Sequence, residues 1–93
     1  MKDLELFLEY WLKTNGLENP ADVNCGMCEE FAIDLSNELL DSQVLYTEDF
    51  IDWDSPDYPG GHCWVKYEGK FYDSECLEGV YDWRHLEFFK RKK

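Results

Sequence analysis

The chain has no apolar run long enough to cross a membrane, and it is poor in basic residues. Nine lysines and arginines stand against 21 aspartates and glutamates, and four of the nine occupy positions 90–93. An acidic surface repels phosphate groups, which argues against DNA or RNA binding. Two acids interrupt residues 1–5, which rules out a signal peptide. We therefore expect a cytoplasmic protein that binds neither membranes nor nucleic acid.

The chain has four cysteine residues. They could form two disulfides, but a reducing compartment favours free thiols or a metal site. A length of 93 residues predicts one domain, 1–93, with a thin core. The 17% of aromatic residues offsets the small size, because each aromatic side chain buries a large area. The basic residues 90–93 are predicted to be a frayed tail.

The spacing of apolar residues predicts an α+β fold, in which a helix packs on a small antiparallel sheet. A connector containing Pro20 separates the first two helices. The predicted elements are a helix covering the apolar stripe 4–12, a helix over about 28–40, a strand over 43–46 or as far as 51, a loop over 52–61, a hairpin of 62–67 and 71–76, and a short helix over 83–89 after a cap at Asp82.

Cys28 is the first candidate for chemistry, because it follows Gly26 and opens the second helix. A sulfur at this position lies at the positive end of the helix dipole, which favours the thiolate. The thiolate, unlike the thiol, is a nucleophile. A single cysteine at a helix start can equally be a small buried hydrophobe. A catalytic role therefore needs a base beside it.

The hairpin offers that base together with a carboxylate. A two-residue turn at Glu68-Gly69 pairs Trp64 with Asp73, and a turn at Gly69-Lys70 also leaves His62 and Asp73 on one face. A three-residue turn would reverse this parity. If His62 and Asp73 lie on the same face of the hairpin, His62 can deprotonate Cys28 while Asp73 orients the imidazole.

Two sequence patches resemble the motifs of transglutaminase-like proteins. Residues 26–32 (Gly-Met-Cys-Glu-Glu-Phe-Ala) resemble their glycine-x-cysteine-x-x-aromatic-alanine motif. Residues 62–65 (His-Cys-Trp-Val), followed by 69–73 (Gly-Lys-Phe-Tyr-Asp), resemble their histidine-x-tryptophan strand and the aspartate that opens the next strand. Residues 25–28 are similar to the papain cysteine motif as well, although Glu29 stands where papain-like enzymes carry an aromatic residue.

The resemblance implies a papain-like or transglutaminase-like fold with Cys28 as nucleophile, His62 as base and Asp73 as orienter. It implies a cysteine enzyme that acts on an amide or peptide bond of a peptide or protein substrate through a thioester. The reaction is hydrolysis, deamidation or acyl transfer, and no cofactor is required. The remaining site candidates are Trp53, Tyr58 and Trp64 for substrate contact, and Trp11, Tyr10 or Asn24 as an oxyanion donor beside the Cys28 N–H.

Two other functions remain open. Cys25 and Cys28 have the spacing of a zinc knuckle, and His62 or Cys63 together with Cys76 could complete four ligands. The chain could also be an inactive interaction module whose acidic surface binds a basic partner protein.

Overall fold

The computed structural model describes residues 2–24 and 26–90 of the chain. Of the predicted basic tail, Lys90 belongs to the last helix, and residues 91–93 lie outside the described part, as does Cys25. The elements are α1 (Lys2–Thr14), α2 (Pro20–Val23), α3 (Cys28–Glu38), β1 (Gln43–Tyr46), a 3₁₀ turn (Thr47–Asp49), β2 (Cys63–Tyr67), β3 (Lys70–Asp73), β4 (Cys76–Val80), a second 3₁₀ turn (Trp83–His85) and α4 (Glu87–Lys90). Across residues 2–24 and 26–90, no helix combines the length and the apolar character that a membrane crossing requires.

The four strands form one antiparallel sheet in the order β1-β2-β3-β4. Each strand therefore pairs with its neighbour in sequence, and β2 and β3 are the two inner strands. The predicted α+β class is confirmed, with α3 packed against β1, β2 and β3.

Each face of the sheet carries its own apolar cluster, because side chains alternate along a strand. Cys63 and Val65 of β2 point toward α1 and α3, whereas Trp64 points to the opposite face and packs on the C-terminal segment. The buried members on the helical side are Leu4, Leu8, Trp11, Leu12, Val23, Phe31, Ala32, Leu35, Leu39, Cys63, Val65 and Tyr72. Those on the other side are Trp64, Cys76, Trp83, Leu86 and Phe89.

The helix predicted over 83–89 is divided into a 3₁₀ turn, Trp83–His85, and α4, Glu87–Lys90. The structure differs from the predicted elements in three further places. The connector before Cys28 contains a short helix, Pro20–Val23, because proline suits the first position of a helix. The first strand ends at Tyr46, where the chain turns into a 3₁₀ helix rather than continuing toward Ile51. The segment predicted as one strand over 71–76 ends at Asp73, and Cys76 begins a fourth strand that periodicity did not predict.

Candidate active site

Cys28 is the first residue of α3, and the chain reaches it through a backbone reversal at Gly26. Gly26 has a φ of +139°, a conformation that other residues rarely adopt. An added Cβ there would meet nothing within 4 Å, so the backbone angle, not crowding, accounts for the glycine. The N–H of Met27 donates to the carbonyl of Val23 at 2.8 Å, which fixes the entry to the helix. Cys28 is a free cysteine and is half-buried.

The hairpin brings His62 and Asp73 together. Its turn consists of the two residues Glu68 and Gly69, with φ of +50° and +79°, as the tight turns of two-residue hairpins require. Continued to the end of the strand, this register places Trp64 opposite Asp73 and leaves His62 on the same face. The His62 Nε2 lies 2.9 Å from the Asp73 Oδ2, and both side chains are buried.

Aromatic rings enclose the His62 imidazole. The ring of Phe88 stacks on it in parallel, with centroids 4.3 Å apart and an interplanar angle of 7°. Trp64 stacks at 5.8 Å, and Phe89 presents its edge at 5.6 Å. The C-terminal helix therefore supplies the apolar wall of the imidazole site. Such packing holds the ring in one orientation and keeps water away from it.

The two ring nitrogens of His62 have different partners. Nε2 faces the Asp73 carboxylate, whereas Nδ1 is buried and has no hydrogen-bond partner among the described residues. The Cys28 side chain interacts electrostatically with the ring, which places the sulfur near the imidazole. Because a carboxylate accepts the proton of Nε2, the neutral ring keeps its lone pair on Nδ1. The lone pair is thus on the nitrogen that Asp73 does not occupy.

The charge state of His62 depends on these same contacts. Burial by itself lowers the pKa of His62, because it disfavours the charged ring. The hydrogen bonds to Asp73 and Cys28, and the negative charge on each, outweigh burial and raise the pKa above its ordinary value. The net effect of Asp73 and Cys28 on His62 is therefore a raised pKa in spite of its burial.

The turn between β3 and β4 positions Asp73 relative to the cysteine segment. Asp73 Oδ1 accepts the N–H of Glu75 at 3.0 Å, which ends the strand and fixes the carboxylate. The hydroxyl of Ser74 donates to the carbonyl of Pro20 at 2.7 Å, and the amide of Asn24 donates to the Glu75 carboxylate at 2.7 Å. Sequence reasoning missed Ser74 and Glu75. The tendency of aspartate to bond the backbone two residues on was the one local signal for this turn.

The side-chain donors predicted for an oxyanion are engaged elsewhere. The indole N–H of Trp11 donates to Asp34 at 2.8 Å, and the amide of Asn24 donates to Glu75. Tyr10 is exposed on α1. A side-chain oxyanion donor therefore stays a prediction, and these contacts do not support it.

The three residues predicted to contact substrate have different surroundings. Trp53 is exposed in the loop before His62, and Tyr58 donates its hydroxyl to the Glu48 carboxylate. Trp64 is completely buried against the imidazole. In this structure Trp64 therefore packs behind the site, and Trp53 and Tyr58 are the ones that solvent reaches.

The other described cysteines are buried and lie outside the site. Burial raises the pKa of the Cys63 thiol to about 12 and that of the Cys76 thiol to about 11. Both thiols therefore stay protonated near neutral pH. Among residues 2–24 and 26–90, no three histidine, cysteine or acidic side chains are grouped to hold a metal ion. The zinc hypothesis also needs Cys25, which lies outside the described residues, so it stays untested.

Comparison with known proteins gives no information on this site. No protein-family model, curated protein or solved structure matches this chain. The resemblance to transglutaminase-like motifs therefore stays a prediction. The geometry itself consists of a half-buried cysteine and a buried imidazole whose Nε2 lies 2.9 Å from a carboxylate.

Proposed function

We propose that this protein is a small transglutaminase-like cysteine enzyme with a papain-like arrangement of helix and sheet, acting on an amide or peptide bond. The observation that supports it most is the contact of His62 Nε2 with Asp73, which leaves Nδ1 without a partner on a ring that also interacts electrostatically with Cys28. The helix start and the strand start bring together residues 34 positions apart in the chain.

The first step follows from these contacts. His62 accepts the thiol proton on Nδ1, and the Cys28 sulfur attacks the carbonyl carbon of the amide, forming a carbon–sulfur bond. The carbon–nitrogen bond breaks, and the imidazolium returns its proton to the leaving amine. Asp73 stabilises the imidazolium without being protonated itself. The product of this step is a thioester on Cys28.

The second step releases the acyl group. Water or a substrate amine attacks the thioester, His62 takes the proton of that nucleophile, and the carbon–sulfur bond breaks to restore the thiol. Attack by water completes hydrolysis or deamidation, and attack by an amine completes transfer. The backbone N–H of Cys28 lies in the first turn of α3, whose N–H groups have no carbonyl one turn earlier, so it can donate to the oxyanion.

Alkylation with iodoacetamide at pH 6 tests the proposal, because only a thiolate reacts quickly. We expect Cys28 to be modified faster than the thiol of glutathione, with Cys63 and Cys76 unmodified, as mapped by mass spectrometry. The His62→Ala variant should lose the advantage, and the matched variant His85→Ala, changed at an exposed histidine, should keep it.

Acylation tests the chemistry beyond reactivity. An activated phenyl ester should leave an acyl group on Cys28, detectable as an added mass that hydroxylamine removes, and Cys28→Ser should abolish it. A wild-type Cys28 that reacts no faster than glutathione would refute the proposal.

An interaction module that binds a basic partner is the second candidate, and one cavity favours it. The cavity has a volume of about 560 Å³ and lies between α1, α2 and the β3–β4 turn. Four carboxylates line it, and no basic side chain does: Glu5, Asp22, Glu75 and Glu78. A lysine- or arginine-rich peptide complements this charge.

Binding of an oligolysine peptide, measured by calorimetry, tests this candidate. We expect affinity that weakens steeply with salt and falls further in the double variant Glu5→Gln/Glu78→Gln. The control Glu9→Gln/Glu38→Gln removes the same charge from exposed positions on α1 and α3. Equal loss of affinity in both variants, or binding that salt does not change, would exclude a specific acidic groove.

A further inference from the structure

Thr47 is a fully buried polar residue that lies directly beside the backbone of His62. It follows the last residue of β1 and begins the 3₁₀ turn Thr47–Asp49. The ladder between β1 and β2 ends where Tyr46 pairs with Cys63, so Thr47 is opposite His62 at the next position. No sequence pattern singled out this threonine.

The Thr47 side chain replaces a backbone hydrogen bond that the ladder has lost. The N–H of Thr47 donates to the His62 carbonyl at 3.1 Å, as in an antiparallel pair. The reciprocal bond is missing, because the Thr47 carbonyl has turned away to accept the N–H groups of Phe50 and Ile51. The His62 N–H donates to Thr47 Oγ1 at 2.9 Å instead, and the same hydroxyl lies 3.4 Å from the His62 carbonyl oxygen.

This contact is made at the junction between a loop and a strand. Residues 52–61 have no regular strand or helix, and His62 is the last residue before β2 begins. The hydroxyl of Thr47 satisfies the buried His62 N–H, which would otherwise have no acceptor at this point. The backbone from which the imidazole projects is therefore held by one side chain as well as by the ladder.

We propose that Thr47 is a positioning residue, which holds His62 so that its two nitrogens meet Cys28 and Asp73 together. This inference rests on the proposed function, in which His62 acts as the base for Cys28. A displacement of the backbone at His62 would carry the ring away from both partners, and small displacements of a catalytic group cost large factors in rate.

The test compares Thr47→Val, which keeps the shape but loses the hydroxyl, with Thr47→Ser, which keeps the hydroxyl. The readouts are the pH dependence of Cys28 alkylation and the imidazole titration of His62 by NMR. We expect Thr47→Val to slow alkylation at pH 6 by about tenfold and to shift the His62 titration, as loss of about one hydrogen bond allows. Thr47→Ser should stay within about threefold of wild type on the same argument. Thr14→Val makes the same change at an exposed helical threonine and should have no effect.

The outcomes separate the two proposals. Should Thr47→Val fail to fold, Thr47→Ala removes the hydroxyl without burying a new methyl group and gives the same comparison. If the wild type is alkylated quickly, and a folded Thr47→Val or Thr47→Ala protein is alkylated as quickly with an unchanged His62 titration, only the positioning role of Thr47 is refuted. A slow wild-type rate overturns the proposed function and the positioning role with it. Lower stability with an unchanged pH profile would show that Thr47 is only structural, which also refutes the inference.

Discussion

Replacing Asp73 with asparagine tests the site with the smallest change of shape. The Asp73 carboxylate is buried, with Oδ2 at 2.9 Å from His62 Nε2 and Oδ1 accepting the Glu75 N–H at 3.0 Å. An asparagine oxygen can still accept from Glu75. Its amide group would then face Nε2 and donate to it, which moves the ring proton to Nδ1. A protonated Nδ1 cannot accept the proton of Cys28.

The size of the effect follows from the lost interaction. A hydrogen bond to a charged group contributes about 1.5–3 kcal/mol, and each 1.4 kcal/mol is about a factor of ten. We therefore expect alkylation of Cys28 at pH 6 to slow by about 10- to 100-fold in Asp73→Asn. Mass spectrometry of timed iodoacetamide reactions measures the rate, and circular dichroism confirms the fold.

The control Asp54→Asn makes the same change of charge at an exposed loop position. It should react like the wild type. An Asp73→Asn protein that is folded and alkylated within about twofold of the wild-type rate would refute the assigned tautomer, since a tenfold loss is the least that a charged hydrogen bond predicts.

The remaining predictions concern His62 and the core. In a His85→Gln background, the imidazole of His62 should titrate at higher pH in the folded protein than in urea, because its folded pKa is raised; equal values would contradict the pairing. By linkage, the contribution of His62 to the free energy of unfolding is complete at pH values below its unfolded pKa and is lost as pH rises through its folded pKa. Unfolding in denaturant should therefore become easier over that pH range, and Asp73→Asn should make the free energy of unfolding depend less on pH. Leu35→Ala, at a fully buried position of α3, should lower the free energy of unfolding by about 2–5 kcal/mol. Ile33→Ala, at an exposed position of the same helix, should cost less than about 1 kcal/mol; similar losses would place Leu35 outside the core.

Local patterns were sufficient for the elements that carry the site. Stripes of apolar residues predicted α1 and α3, because the residues that one helix face buries recur every three or four positions. The second stripe also placed Cys28 at the start of α3. The alternation around a Glu68-Gly69 turn placed His62 and Asp73 on one face, because strand side chains have a period of two. Both inferences depend on neighbours in sequence.

Other features had no local signal. Trp64 is buried because the segment 83–89 covers its face of the sheet, and that contact joins residues about 20 positions apart. β4 forms because Asp73 turns the chain through its bond to the Glu75 N–H, although the segment read as one continuous strand.

The sequence by itself determined the periodic elements and the acidic charge, since each follows from residue types a few positions apart, and it placed His62 and Asp73 on one face for a two-residue turn, which the structure has. Only the tertiary structure decided which ring nitrogen of His62 stays open, which donors near Cys28 are already engaged and that Thr47 holds the His62 backbone. These depend on where β1 leaves the ladder and how the C-terminal helix packs. Hydrogen bonds and packing between distant segments are settled only when the whole chain has folded.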